Sequence, residues 1–228
     1  MSSFGTIYKT TTFGESHSKS VGAIIENCPP NFDITEEYIQ YHLNRRKPGQ
    51  SKITTDRKEN DQVIILSGTQ NFKTLGTPLC AIVNNNDQHP VDYTFQKEGE
   101  KYIPRPSHAD YTYLQKYGIH AKSGGGRSSA RETIGRVISG AIALKYLEEK
   151  NNIKIIAYVS KVGNLEMTKL PETKLRNLTR EDVDSNIIRC PDTEIADKMI
   201  NLISELKDKG DSVGGMVECI ISGLPVGL

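Results

Sequence analysis

The sequence predicts an α+β fold or a layered α/β sandwich. Strand-like and helix-like segments are mixed along the chain without the strict strand–helix–strand order of a parallel sheet. Apolar residues recur with a period near 3.6 in the helical segments and near 2 in the strands. The chain has 228 residues, of which 36% are hydrophobic and 25% charged, as in globular proteins. It is long enough to bury a substantial core without disulfide bonds.

Several segments have the composition of β-strands, because β-branched and aromatic residues dominate them and turn-forming residues bound them. They lie at residues 4–12, 21–26, 63–66, 79–83, 153–159 and 216–222. Residues 14–18 are predicted to form a loop between the first two strands. Residues 84–105 are polar and rich in helix-breaking residues, which predicts a long loop. Loops of this length are more often functional or mobile than inert.

The main helical segments have an apolar face at helical spacing. The first is expected to begin near Thr35, a plausible N-cap, and to end before Pro48. The second covers residues 130–150, and the third covers 193–209 with Gly210 as its terminator. The apolar stripe of the second helix predicts a core-facing surface. That stripe consists of Ile134, Val137, Ile138, Ala141, Leu144 and Leu147.

Bulk charge excludes a strongly basic nucleic-acid-binding protein. Lys and Arg number 29 and Asp and Glu number 28, which gives a net charge of +1 and leaves only local basic clusters to consider. None of the four cysteines lies within four residues of another, so they are predicted to be buried apolar thiols in a reducing compartment. They are Cys28, Cys80, Cys190 and Cys219. The start lacks a signal-peptide pattern, and no apolar run approaches the roughly 20 residues of a membrane helix. We therefore expect a cytoplasmic protein without a membrane segment.

A glycine-rich segment at residues 123–133 is a candidate anion site. Consecutive glycines let the backbone approach a ligand closely, and Ser129 with Glu132 fits a capping box at a helix N-terminus. Unpaired amides and the helix dipole favour an anion there, and Arg127 and Arg131 add positive charge. The segment lacks the ending of a Walker A loop. A flexible hinge before a capped helix is the alternative interpretation.

Other candidates are basic or histidine-containing. Arg46 and Lys52 flank a Pro-Gly turn after the first helix, where they form either a solvated basic end or part of an anion cavity. His17 and His108 lie in predicted loops and could transfer protons near neutral pH. They are not four residues apart on a helix, and no cluster of carboxylates completes a ligand set, which argues against a metal site. Residues 210–215 predict a tight turn between a helix and a strand, or a further part of the cavity.

Taken together, these segments resemble the chorismate synthase family. The matching stretches occur in the family's order along nearly the whole chain: residues 11–17, 45–50, 105–111, 124–133 and 210–215. The sequence departs from the common pattern at Ser18, at Ser107, where many members have glycine, and at Lys52, where arginine is common. Family members also continue well beyond the length seen here, so we expect this chain to be the front portion of a longer enzyme.

The resemblance implies a layered β-α-β sandwich, a single domain over residues 1–228 and a homotetramer. The implied reaction is a 1,4-elimination of phosphate from 5-enolpyruvylshikimate 3-phosphate to give chorismate. It requires reduced FMN, which a flavin reductase or another source must supply, although no net redox change occurs. Nucleic acid and membrane partners are not expected. Two alternatives remain at this stage: a flavin- or nucleotide-phosphate-binding redox enzyme, and a non-catalytic fragment that binds FMN or another anion.

The resemblance also implies individual roles for site residues. His17 is the expected general acid toward the departing phosphate, and His108 is expected beside the flavin ring, whose protonation state it sets. The other candidates are basic or hydroxyl side chains that bind anionic groups. They are Arg46 and Lys52 at the substrate phosphate, Arg105 and Arg131 as further anion ligands, and Arg127, Ser128 and Ser129 at FMN.

Overall fold

The computed structural model describes residues 2–55, 59–86, 103–119 and 125–227. The chain divides into two compact units. Unit 1 comprises Met1–Pro48 and Arg57–Ala143, and unit 2 comprises Gly49–Asp56 and Leu144–Leu228. Both units combine helices with antiparallel strands, so the α+β prediction is confirmed. The single domain expected over residues 1–228 stays a prediction.

Unit 1 is built on a five-stranded antiparallel sheet in the order β1-β2-β3-β7-β4, beside a small hairpin formed by β5 and β6. Successive residues of a strand point to opposite faces, so one face can be apolar throughout. The strands are β1 (Ser3–Phe4), β2 (Lys9–Gly14), β3 (Ser20–Glu26), β4 (Val63–Ser67), β5 (Thr69–Gln70), β6 (Lys73–Thr74) and β7 (Leu79–Asn84).

Two helices contribute to the core of unit 1. They are α1 (Glu36–Arg46) and α3 (Thr133–Asn151), which runs on into unit 2, whereas the short α2 (Asp110–Tyr117) carries no fully buried apolar side chain. The Thr35 side chain accepts a hydrogen bond from the Tyr38 amide, which confirms the predicted N-cap. The strands supply to the core Val21, Ala23, Ile25, Leu79, Ala81 and Val83. The helices supply Ile39, Leu43, Ile134, Ile138, Ala141 and Ile142.

The prediction of one strand over residues 4–12 is wrong, because this segment is a hairpin. Strands β1 and β2 pair with Ser3 opposite Thr11, and the chain reverses between them. Gly5 has φ +88°, and a Cβ there would stand only 2.1 Å from the Tyr8 carbonyl oxygen. A glycine can adopt this left-handed conformation without a steric penalty, so the turn forms inside a run of strand-forming residues.

Unit 2 contains a three-stranded antiparallel sheet in the order β10-β8-β9. Its strands are β8 (Lys154–Val162), β9 (Leu165–Glu166) and β10 (Gly215–Ser222), and its helices are α4 (Glu172–Asn177), α5 (Arg180–Asp184) and α6 (Thr193–Asp208). Helix α6 is capped by Asp192, and Gly210, the predicted terminator, follows it with φ +69°. Met199 and Ala196 of α6 pack with Tyr158 and Val162 of β8.

The prediction that all four cysteines are buried is wrong for Cys219. Cys28 and Cys190 are buried and Cys80 is partly buried, but Cys219 is exposed on β10. This strand lies at one end of the strand order, and most of its side chains are exposed. Sequence composition alone does not reveal which strand of a sheet lies at its edge. Across the described ranges, every helix is too short or too polar to cross a membrane.

Candidate functional site

His17 lies in the hairpin loop between β2 and β3. Ser18 closes this loop, because its hydroxyl accepts a hydrogen bond from the Glu15 amide at 3.0 Å and donates to the Ser20 carbonyl at 2.9 Å. The Ser16 amide donates to the carbonyl of Gly126 at 3.5 Å. This contact ties the histidine loop to the glycine-rich segment. The imidazole of His17 is partly buried, and its Nδ1 atom is shielded from solvent.

His108, in a second loop, lies against the same glycine-rich segment. Its Nδ1 atom lies 2.6 Å from Oδ1 of Asp110. The ring atoms Cε1 and Nε2 lie 3.5 Å from the position that a Cβ on Gly125 would occupy. Arg105 binds the same carboxylate through Nε at 2.7 Å and Nη2 at 3.0 Å. Asp110 is 5% exposed and therefore orients both His108 and Arg105.

The residue before His108 occupies a conformation that favours glycine. Ser107 has φ +58°, in the left-handed region, where a residue with a Cβ pays about 1–2 kcal/mol. The common family pattern has glycine at this point, so the departure noted in the sequence keeps the backbone turn and adds local strain.

The glycine-rich segment enters α3 through two short 3₁₀ turns, Gly126–Ser128 and Ala130–Glu132. Ser129 is the N-cap, and its hydroxyl accepts a hydrogen bond from the Arg131 amide at 3.3 Å. The predicted capping box does not form, because the Ser129 hydroxyl binds the Arg131 amide and not the amide of Glu132. The Glu132 carboxylate is turned instead toward the Thr12 hydroxyl and Nη2 of Arg127, because a nearby guanidinium is a stronger donor than a backbone amide.

Arg127 uses its guanidinium to join the glycine-rich segment to β2. Nη1 donates to the carbonyl of Gly14 at 3.0 Å, and Nη2 donates to the carbonyl of Thr12 at 3.0 Å. Nη2 also reaches Ser2 and, at 2.5 Å, Glu132. The neighbouring Ser128 hydroxyl donates to the Gly125 carbonyl at 2.5 Å. Arg127 and Ser128, two of the three side chains predicted to contact FMN, thus stabilise the shape of the segment itself.

Arg46 and Arg131 meet at one buried carboxylate. Nη1 of Arg46 lies 2.8 Å from Oδ2 of Asp61, and Nη1 of Arg131 lies 3.0 Å from Oδ1 of the same residue. Glu59 adds a second carboxylate at 3.4 Å from Nη1 of Arg131. Nε of Arg131 donates to Oδ1 of Asn85 at 2.8 Å. These contacts bring the end of α1 and the start of α3 to the same place.

The remaining predicted anion ligand, Lys52, belongs to unit 2. Its carbonyl and that of Thr54 accept hydrogen bonds from Nζ of Lys207 at 3.1 and 2.9 Å. Asp211 and Ser212, the polar residues of the predicted turn at 210–215, line a cavity of about 380 Å³ with the same Lys207. Gly124, the first residue of one matching stretch, and most of the predicted loop at 84–105 lie outside the described residues.

Unit 1 therefore holds all the predicted site residues except Lys52. Sequence reasoning missed Asp61, Asp110 and Asn85, which orient the predicted cations and His108. It also missed Glu59, whose carboxylate lies 3.4 Å from Nη1 of Arg131. Buried cations need acidic partners, and the partner of Arg131 lies 70 positions away in the sequence. The only available signal was the presence of acidic residues in loop-like stretches beside the basic motifs. Chemically, the arrangement offers two imidazoles for proton transfer and several guanidiniums for an anionic ligand.

Comparison with known proteins gives a consistent result. The family model described as chorismate synthase matches residues 8–228. A chorismate synthase of Trichodesmium erythraeum is 55% identical over 225 residues, which is 99% of this chain and 59% of the relative. One of Schizosaccharomyces pombe is 50% identical over 251 aligned residues, covering 100% of this chain and 62% of the relative. A crystal structure of chorismate synthase superposes with a TM-score of 0.72 at 30% identity, over 95% of this chain and 58% of the other. The chain thus spans less than two thirds of the length of each.

Proposed function

The chain belongs to the chorismate synthase family, and we propose that the protein carrying it eliminates phosphate from 5-enolpyruvylshikimate 3-phosphate to form chorismate. Family membership supports the reaction class, a carbon–oxygen lyase acting on a small phosphorylated substrate. A 1,4-elimination must protonate or otherwise stabilise the departing phosphate while a proton is lost elsewhere on the substrate. It also needs cations that bind the phosphate and the carboxylates of the substrate.

One observation carries the proposal: the two histidine loops converge on the glycine-rich segment. Ser16 of the first loop bonds Gly126, and the His108 ring lies against Gly125. In this proposal His17 is the general acid toward the leaving phosphate, since a phosphate dianion favours the protonated imidazole beside it. His108, which is held by Asp110, is proposed to lie beside the flavin ring.

The donors of unit 1 fit an anionic group such as the phosphate of FMN or of the substrate. Nη2 of Arg131 is buried and has no hydrogen-bond partner among the residues that the structure describes. Burying such a donor is costly unless a ligand satisfies it. We propose Arg46, Arg105, Arg131 and Lys52 as substrate ligands, and Ser128, Ser129 and Arg127 as FMN contacts. Reduced FMN, when bound, supplies the electron density that assists loss of the phosphate.

Arg127 differs from the two serines among the proposed FMN contacts. Its guanidinium already donates to Gly14, Thr12, Ser2 and Glu132. Its role toward the cofactor would then be indirect, through the shape of the segment that carries Ser128 and Ser129.

The test is phosphate release by the complete protein under anaerobic conditions with reduced FMN. His17→Ala should lower turnover by at least about 100-fold, because general acid catalysis typically contributes 10²–10⁴-fold. FMN binding, followed by flavin fluorescence, should be unchanged and serves as the control for folding. Wild-type turnover in the variant would refute the role of His17. Absence of phosphate release by the unmodified protein would refute the proposed reaction.

A second proposal applies to the 228-residue chain by itself. Because the chain spans 59% of the length of the Trichodesmium erythraeum relative, it could bind FMN or another anion without catalysing the elimination. Comparing phosphate release and flavin binding between this chain and a longer polypeptide separates the two proposals. Stoichiometric NADPH oxidation with pre-reduced FMN would instead favour a redox enzyme.

Family membership is the basis for proposals on the oligomeric state, the source of reduced FMN and the cellular compartment. We propose a homotetramer, a separate or associated flavin reductase as the source of reduced FMN, and a cytoplasmic location, with which the free thiols agree. Light scattering measures the first, and turnover with and without an added reductase tests the second.

A further inference from the structure

Asp61 joins two arginines that are distant in the sequence. It is 0% exposed, and each of its carboxylate oxygens accepts from a different guanidinium, Arg46 at 2.8 Å and Arg131 at 3.0 Å. Arg46 ends α1, and Arg131 lies in the turn that precedes α3. The carboxylate therefore fixes the distance and relative orientation of two proposed anion ligands.

The backbone of Asp61 is itself held in place. Its φ of +47° is left-handed, which a non-glycine residue adopts at a cost. Its carbonyl accepts a hydrogen bond from Nε2 of Gln40 at 3.2 Å, and Oε1 of Gln40 accepts from the Val63 amide at 2.9 Å. Helix α1 thus binds the backbone on both sides of Gln62, at Asp61 and at Val63.

The charges of this cluster balance. Arg46 and Arg131 carry two positive charges, and Glu59 and Asp61 carry two negative charges at neutral pH. The formal charges of these four described side chains therefore cancel. What the cluster offers is a buried donor with a fixed direction: Nη1 and Nε of Arg131 are bonded to Asp61 and Asn85, while Nη2 has no described partner.

We propose that Asp61 is a positioning residue, which locks Arg46 and Arg131 so that Nη2 of Arg131 faces a phosphate or carboxylate group of the ligand. This role rests on the proposed function for the identity of the ligand. It does not require Asp61 to touch the ligand, because it acts by holding the guanidiniums in a fixed orientation toward the anion.

Two substitutions with the same change in charge test the proposal. Asp61→Asn removes the carboxylate that joins the arginines, whereas Glu59→Gln neutralises the adjacent carboxylate and leaves both bonds of Asp61 in place. Both raise the net charge of the cluster by one, so attraction by charge alone would strengthen anion binding in both. If Asp61 is a positioning residue, only Asp61→Asn weakens phosphate binding, by about 10-fold or more. Misplaced arginines bind the anion less tightly despite the added positive charge.

The measurement is calorimetric titration of the complete protein with inorganic phosphate, with thermal unfolding as the check on folding. Unchanged or tighter phosphate binding by Asp61→Asn, or an equal loss in Glu59→Gln, would overturn the proposal. The readout does not depend on turnover. If the proposed reaction is wrong, the wild type releases no phosphate from 5-enolpyruvylshikimate 3-phosphate. If the positioning role is wrong, the titration of Asp61→Asn shows it.

If Asp61→Asn does not fold, isotope-labelled wild-type protein provides the test. A guanidinium held on two sides cannot rotate freely about its Nε–Cζ bond, so Arg131 should give resolved Nη signals in nuclear magnetic resonance spectra. A single averaged signal would contradict the proposed locking by Asp61.

Discussion

The guanidinium of Arg127 was predicted to be a cofactor ligand, but its hydrogen bonds make it a structural clamp between segments. Its nitrogens donate to Gly14, Thr12, Ser2 and Glu132, most of them far from it in the sequence. The side chain is 19% exposed, so these bonds form largely out of water. Planar geometry with several parallel N–H groups is what distinguishes arginine from lysine in such a place.

Replacing Arg127 by lysine should therefore destabilise the protein although the charge is kept. Lysine can replace one or two of the hydrogen bonds but not the fork, and hydrogen bonds to charged groups contribute about 1.5–3 kcal/mol each. We expect the free energy of unfolding to fall by about 2–3 kcal/mol in urea denaturation. The matched control is Arg176→Lys, because Arg176 pairs with Glu172 at 74% and 75% exposure and such pairs contribute below about 1 kcal/mol. Equal effects of the two substitutions would contradict the clamp.

Helix α3 packs closely against the sheet of unit 1 at Gly135, and the sheet itself is tightly packed at Gly22. A Cβ on Gly135 would stand 2.6 Å from the carbonyl oxygen of Gly22 and 2.8 Å from Cγ2 of Thr12. A Cβ on Gly22 would likewise stand 2.4 Å from the Ala81 carbonyl oxygen. These glycines are required by close packing, and the same contact positions the glycine-rich segment just before α3.

Two glycine-to-alanine substitutions in α3 should have opposite effects. Gly135→Ala should lower the free energy of unfolding by about 1–3 kcal/mol, because overpacking against backbone forces the helix away from the sheet. Gly140 is exposed, and a Cβ there meets nothing within 4 Å among the described atoms. Gly140→Ala should raise the free energy of unfolding by about 1 kcal/mol through helix propensity. Chemical denaturation of both variants gives the signs, and a stabilised Gly135→Ala protein would refute the close approach.

Sequence periodicity predicted the elements whose side chains repeat over several turns or along a full strand. Helices α1, α3 and α6 and strands β3, β7 and β10 lie close to their expected bounds. It failed where one residue reverses the chain, as at Gly5, and where helices are too short to show a period, as at α4 and α5. Short helices depend on caps, such as the capping box of Thr179 and Asp182, more than on an apolar face.

The candidate site was predictable in its cations and histidines and unpredictable in their partners. Basic and glycine-rich motifs are local, so their residues can be identified along the chain. The Asp61–Arg131 pair joins residues separated by 70 positions, and nothing in either segment indicates the other. Such pairing depends on how α1, α3 and the sheet assemble, which local patterns do not specify.

On the scale of the whole molecule, the cysteine thiols differ in their exposure to solvent and therefore in their pKa. Cys28 is 2% exposed in the core of unit 1, and burial raises the pKa of its thiol from 9.0 to about 11. Burial also raises the pKa of Cys190. Both groups are therefore neutral and unreactive at physiological pH, whereas Cys219 is exposed.

The raised pKa of Cys28 makes stability fall in alkaline solution. Above pH 9 the unfolded chain releases this proton while the folded protein keeps it, so the contribution is complete below pH 9 and is lost as the pH rises through about 11. At about 1.4 kcal/mol for each unit by which the pKa is raised, the loss of stability approaches about 3 kcal/mol.

Unfolding free energies at pH 8 and pH 10.5 should therefore differ less in Cys28→Ala than in the wild type. Cys219→Ala is the control, since it removes an exposed thiol and should leave the wild-type difference intact. Buried tyrosines such as Tyr158, whose pKa is raised to about 12, add the same pH dependence of stability to all three proteins. A Cys28→Ala protein with the wild-type pH dependence would show that the buried thiol is not the titrating group.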